Sequence, residues 1–117
     1  MGKGYICFFT NVNELVNFLC SLPARSDIYF SFKGILYAID QIVEDEEDED
    51  VVIIKTKKEK ESINTYSKED IIEELTQYLQ KEFDVLALVE GERICVQNVN
   101  VFIQDVGSEI RYIIKLV

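Results

Sequence analysis

The sequence predicts an α+β fold: a tandem duplication of an αβββ unit, with antiparallel sheet or sheets packed against two helices. Three observations carry this. Short runs of β-forming residues flank turn signals at Gly34 and Gly91. Two stretches, behind Asn11 and Ser67, repeat apolar residues at helical spacing. The segment from Asp27 to Gly34 also has a counterpart from Asp84 to Gly91. With 117 residues, 48% of them hydrophobic, the chain is large enough for one core. Residues 1–117 are therefore read as a single domain, with a first half over 5–57, a linker over 58–66 and a second half over 67–117.

In order, Tyr5 to Thr10 is an apolar run of β-formers bounded by Gly4 and Asn11, and predicts a strand. Asn11 then caps a helix, with Glu14 placed as in a capping box and Val12, Leu15, Val16 and Leu19 on one stripe. Pro23 ends it, since its ring disfavours helix at Leu22. Asp27 to Lys33 and Ile35 to Val43 form a hairpin around Gly34, and Val51 to Thr56 returns beside the second strand. After the polar linker, Ser67 opens a second helix with Asp70 at the capping-box position, and Ile71, Ile72, Leu75, Tyr78 and Leu79 form its stripe. Strands follow at Val85 to Val89, at Arg93 to Val99 with an extension towards Ile103, and at Ile110 to Lys115 after a turn at Gly107.

The two halves match in register. Ile28 stands over Val85, Phe32 over Val89, Tyr37 over Ile94, Ile39 over Val96 and Ile42 over Val99. Ile53, Ile54 and Lys55 fall over Ile113, Ile114 and Lys115 after a small length change. Duplication explains this, and so does chance likeness between two helix-plus-hairpin segments. Two fused units give six strands, with the N-terminal strand as a seventh, and both helices on one face. Several strands, such as Val51 to Ile54, are apolar on both faces. Either they lie centrally beneath the helices, or a second sheet face or a homodimer partner covers them.

Composition narrows the function. A net charge of −10 leaves no basic face for nucleic acid or an anionic membrane. Histidine is absent, and with it the commonest general base and metal ligand. No phosphate loop, nucleophile elbow or H-E-x-x-H occurs. Cys7, Cys20 and Cys95 are widely spaced and fit neither a disulfide framework nor a zinc site; they are expected reduced, as small hydrophobes in their elements. No membrane span or secretory signal is legible, so the cytoplasm is the expected location. The chain is expected not to be an enzyme and to need no cofactor or metal.

One feature stands apart: Glu44, Asp45, Glu46, Glu47, Asp48, Glu49 and Asp50 are seven consecutive carboxylates. Mutual repulsion favours an extended, solvated hairpin tip, and such a tip needs no function. A functional role makes the run the partner-binding element, a decoy that meets a basic surface together with Asp40, Glu61, Glu69, Asp70, Glu73 and Glu74. Lys55, Lys57, Lys58 and Lys60 lie just beyond and could neutralise it. A calcium loop needs spacers and a glycine that the run lacks. Tyr29, Phe30, Phe32 and Tyr37 would make a base-stacking platform, but read better as core.

The pattern Leu15-x-x-x-Leu19-x-x-Leu22-Pro23-x-x-Ser26-Asp27-Ile28-x-Phe30, followed by a glycine turn and Ile35-Leu36-Tyr37-Ala38-Ile39, resembles that of small acidic proteins encoded by phages and prophages. It spans the first half, and the second echoes it. The resemblance implies an anti-defence factor, of the anti-CRISPR kind that obstructs nucleic-acid channels. It carries no site residue over, because the shared positions are core and turn positions. The expected function is that of a non-enzymatic acidic inhibitor of a host defence or nucleic-acid-binding protein, acting on a basic surface of that partner. A structural homodimer and a toxin-neutralising immunity protein are the alternatives.

Overall fold

The β-rich runs and capped stripes become strands and helices in a computed structural model of the chain, which describes residues 4–7, 11–23, 26–61, 66–79, 83–96, 99–106 and 109–116. The elements are β1 (Gly4–Cys7), α1 (Val12–Cys20), β2 (Asp27–Phe32), β3 (Ile35–Glu44), β4 (Val51–Lys58), α2 (Lys68–Leu75), β5 (Asp84–Val89), β6 (Glu92–Cys95), β7 (Val99–Val106) and β8 (Glu109–Lys115). Single 3-10 turns follow β4 at Glu59–Glu61 and α2 at Thr76–Tyr78. The predicted residues Phe8 to Thr10, the linker centre at 62–65 and the turn at Gly107 lie outside the described residues. Lys58, assigned to the linker, belongs to β4.

Both helices start where the sequence places them. The Asn11 side chain accepts from the Glu14 N–H at 3.0 Å. At Ser67 the capping box is complete: the Ser67 N–H donates to Asp70 Oδ2 at 3.0 Å, and the Asp70 N–H donates to Ser67 Oγ at 3.3 Å. Val12, Leu15, Val16 and Leu19 of α1, and Ile71 and Leu75 of α2, are buried in one core with Ile28, Phe30, Tyr37, Ile39, Val52, Ile54, Val85, Ala87, Tyr112 and Ile114. One sheet face and both helices thus share a single apolar interior. Tyr29, predicted beside Phe30 in an aromatic set, faces the other way, buried under the Arg111 guanidinium at 4.9 Å from its ring.

The sheet has eight strands in the order β1-β7-β8-β2-β3-β4-β5-β6, and it is mixed. This corrects the antiparallel expectation. β2 pairs with β8 in parallel, as does β4 with β5, the latter because α2 carries the chain across from β4 to β5. The Val12 N–H donates to the Phe83 carbonyl just before β5, and the Lys68 N–H donates to the Ser26 carbonyl just before β2, both at 2.8 Å.

The strand predicted from Arg93 towards Ile103 is likewise corrected: it breaks into β6 and β7, which lie six strand positions apart. At about 4.8 Å per step a flat sheet would separate them by about 29 Å. Four residues reach at most about 14 Å. The sheet therefore curls until its flanks approach, and the break is where one strand leaves β5 to join β8.

Ladder registers repeat between the halves. Tyr29 opposite Ala38 and Phe32 opposite Ile35 recur as Leu86 opposite Cys95 and Val89 opposite Glu92. Parallel pairs Ile28–Tyr112 and Phe30–Ile114 recur as Val85–Val52 and Ala87–Ile54. Both hairpins turn on two residues with positive φ, Lys33 (52°) with Gly34 (80°) and Glu90 (50°) with Gly91 (80°), the backbone twist that suits a two-residue hairpin. One predicted alignment shifts. Ile42 opposite Ile54 matches Val101 opposite Ile114, so Ile42 corresponds to Val101 instead of Val99, the length change falling at the β6–β7 break.

Cys20 and Cys95 are free and exposed, contrary to the expected burial, since each falls on the outward side of its element; the side chain of Cys7 is outside the described set.

Two predictions follow from this packing. A Cβ at Gly34 or Gly91 meets open space, so Gly34→Ala and Gly91→Ala are penalised by φ alone. Each should lower unfolding stability by about 1 kcal/mol in urea titration, with equal costs at the two sites. Separately, burial first, then Glu74, raises the Tyr66 phenol above its ordinary 10.0; burial first, then Glu44 and Glu74, raises Tyr78. The native state then holds these protons longer than the unfolded chain does. Their stabilisation is complete below about pH 10 and is lost as pH rises through the folded-state values. Tyrosinate absorbance should show late-titrating phenols, and Tyr66→Phe should flatten the alkaline fall in stability.

Candidate functional site

Seven adjacent carboxylates would separate in water, yet the chain folds them into a defined loop. Glu44 ends β3, and Asp45 to Asp50 connect it to β4. The Asp45 N–H donates to the Val51 carbonyl at 2.9 Å and closes the loop. Inside it the Glu47 N–H donates to Asp45 Oδ1 at 3.2 Å, a side-chain turn of the kind aspartate favours. Asp50 takes a left-handed conformation (φ 62°), and its carbonyl accepts from the Asp84 N–H at 2.9 Å. Both ends of the loop are thereby tied to β4 and β5.

Arg93 supplies the countercharge. It sits on β6 opposite Leu88, which in turn pairs with Lys55, and its guanidinium reaches the folded-back loop. Nη2 bonds the Asp45 carboxylate and lies 3.2 Å from Asp48 Oδ2; Nη1 lies 3.8 Å from Glu47 Oε2. The Asp45 side chain is only 10% exposed, against 35% for Arg93, 62% for Asp48 and 84% for Glu47. A nearly buried carboxylate requires such a partner, whereas the outer two contribute little to stability. Among the described residues, Glu44, Glu46, Glu49 and Asp50 make no ion pair. One guanidinium thus meets three of the seven carboxylates.

Between the loop and the outer sheet face runs an open groove of about 360 Å³, lined by Val43, Ile53, Leu88, Lys55, Arg93 and the carboxylates of residues 44–47. Val43, Ile53 and Leu88 come from three adjacent strands and make an apolar floor. On the loop's other flank a cleft of about 260 Å³ reaches Val51 and Phe83. Among the described residues no group of three or more cysteines and carboxylates is arranged to hold a metal ion, and no helix is long and apolar enough to cross a membrane.

The predicted site residues, Glu44 to Asp50, are thus brought together, but as a folded arc over the sheet instead of an extended tip. The physical reason is Arg93, which offsets part of the repulsion that extension would otherwise relieve. The lysines expected to neutralise the run do not do so: none of Lys55, Lys57, Lys58 and Lys60 pairs with it among the described residues, and Lys57 approaches Asp40 at 3.9 Å. Arg93 was not legible as a site residue, since only the β4–β5 ladder brings it near. Its one signal is register: the position corresponding to Arg93 in the first half is Leu36. Comparison with protein-family models, curated proteins and solved structures finds no match for this chain.

Arg93→Gln should release the arc without unfolding the protein. Amide exchange at Glu47 and Asp48 should quicken, and global stability should fall by more than the roughly 1 kcal/mol or less usual for exposed pairs, because the nearly buried Asp45 loses its cation. A cooperative loss of the whole fold would mean that the loop is part of the core.

Proposed function

We propose that the chain is a non-enzymatic binding protein that occupies a basic surface of a larger protein with the carboxylates of Glu44 to Asp50. The observation that carries this is the ordered arc with an unbalanced charge: four of its carboxylates have no ion pair among the described residues, and Glu46, Glu49 and Asp50 stand exposed. A fixed array of like charges is unfavourable for the free chain and becomes favourable against a surface of opposite sign, where it also speeds encounter. Together with the net charge of −10, this fits an inhibitor acting in the cytoplasm on a host defence or nucleic-acid-binding protein, as the likeness to small phage proteins implies.

We also infer a tandem duplication of an αβββ unit. Its support is the recurrence of hairpin registers, parallel pairings, helix caps and the two crossing bonds from Val12 and Lys68. Chance likeness of sequence would not reproduce long-range ladders. A second reading, a homodimer through the outer sheet face, is favoured by one observation. Phe102, 40% exposed, lies opposite the half-buried Ile113 and leaves apolar surface on the outer face of β7 and β8.

The experiment is capture of a partner from host lysate at low and high salt, followed by titration of that partner with the natural chain and with a variant in which residues 44–50 are all Gln or Asn. The natural chain should bind with strong salt dependence, and the variant should lose tenfold or more in affinity, about 1.4 kcal/mol. Equal affinities would sink the electrostatic reading. Salt-independent self-association abolished by Phe102→Lys would favour the homodimer.

A further inference from the structure

We propose that the groove beside the acid loop takes a partner segment carrying an arginine next to an apolar side chain, and that Arg93 occupies that arginine's place in the free protein. This rests on the reading of the chain as a binder of basic surfaces, and it names the chemistry of the contact. The walls decide the charge. Glu44 to Glu47 set four carboxylates against the two cations Lys55 and Arg93 in the lining, a negative balance that favours a cationic occupant. The floor decides the rest: Val43, Ile53 and Leu88 offer apolar surface that a polar basic segment would leave wetted. At about 360 Å³ the groove lies near the lower end of ligand-sized sites, about 300–1,000 Å³, and suits side chains more than a whole helix.

Arginine is favoured over lysine by the geometry of the carboxylates. Asp45, Glu47 and Asp48 already surround one planar guanidinium, two of them on Nη2 and one on Nη1. A fork of donors satisfies several acceptors at once; an ammonium acts as a point charge. Asp45 is the key acceptor, because a side chain only 10% exposed needs a cation in place at all times. Arg93 meets that need in the free chain, yet at 35% exposure it can swing into water and regain hydration. Exchange of one guanidinium for another is then close to neutral for the loop. The apolar residue entering the groove supplies the preference for the partner.

The test uses the full chain and four blocked hexapeptides, alternating Arg-Leu, Arg-Ser, Lys-Leu and Glu-Leu, titrated at low salt with Arg93 Nε–H followed by NMR. Arg-Leu should bind at least tenfold more tightly than Arg-Ser and more tightly than Lys-Leu, shifting the Arg93 resonance, and Glu-Leu should not bind. Arg93→Gln should raise affinity for Arg-Leu several-fold, since the competitor is gone. Leu88→Ser should remove the advantage of Arg-Leu over Arg-Ser; Val43→Thr serves if the first variant fails to fold. Equal binding of Arg-Leu and Arg-Ser, both abolished by neutralising residues 44–50, would overturn the groove and leave the acidic binder standing. Weaker binding by Arg93→Gln would overturn the exchange. Absence of any salt-sensitive binding would overturn the underlying reading as well.

Discussion

Two parallel ladders, β2 with β8 and β4 with β5, are the constraint from which the rest of this structure follows. Parallel neighbours cannot be joined by a tight turn, so the chain must leave the sheet between β4 and β5, and α2 occupies that crossover. With both seams in place, the strands form a nearly continuous circuit from β7 through β8, β2, β3, β4 and β5 to β6. Only three residues separate β6 from β7, and the sheet has to curl to let them connect. Curling encloses one face, and the helices fill it. Leu15 and Leu19 meet Ile71 and Leu75 there in a common core.

The same seam creates the site. Because β5 runs alongside β4, the antiparallel return of β6 carries Arg93 back over the row that contains Leu88 and Lys55, one strand beyond β4. The loop that precedes β4 can then fold up to meet it. Without β4–β5 pairing, the seven carboxylates would lose the one guanidinium that pairs with them among the described residues, and repulsion of order 1 kcal/mol or less per neighbouring pair in water would favour extension. The loop's form is therefore a tertiary property, although its composition is local.

What could be read from the sequence divides along that line. The caps at Asn11 and Ser67, the glycine turns and the apolar stripes rest on contacts within a few residues, and they appear as expected. The acid run was legible from composition, though its fold was not. The parallel pairings, the separation of β6 from β7 and the partnership of Arg93 with Asp45 depend on residues far apart in the chain. An apolar run such as Arg93 to Ile103 looks continuous because alternation reports exposure and says nothing of which strand lies alongside. The groove floor of Val43, Ile53 and Leu88 was hidden for the same reason: two-faced apolar strands look alike whether the second face is covered or open.

The ladder registers of the second half can be compared with those of the first. Its β5–β6 hairpin has the register of β2–β3, and its β8 packs on β2 as β4 packs on β5. Yet β7 and β8 are joined across two residues, where β3 and β4 are joined by the six-residue acid loop. The position matching Arg93 is Leu36, with no charge to offer. A scaffold that closes one hairpin with two residues does not require six charged ones to close its counterpart. The loop and its arginine, one from each half, meet on the same side of the molecule through the β4–β5–β6 ladders, which leave the length and charge of the loop open.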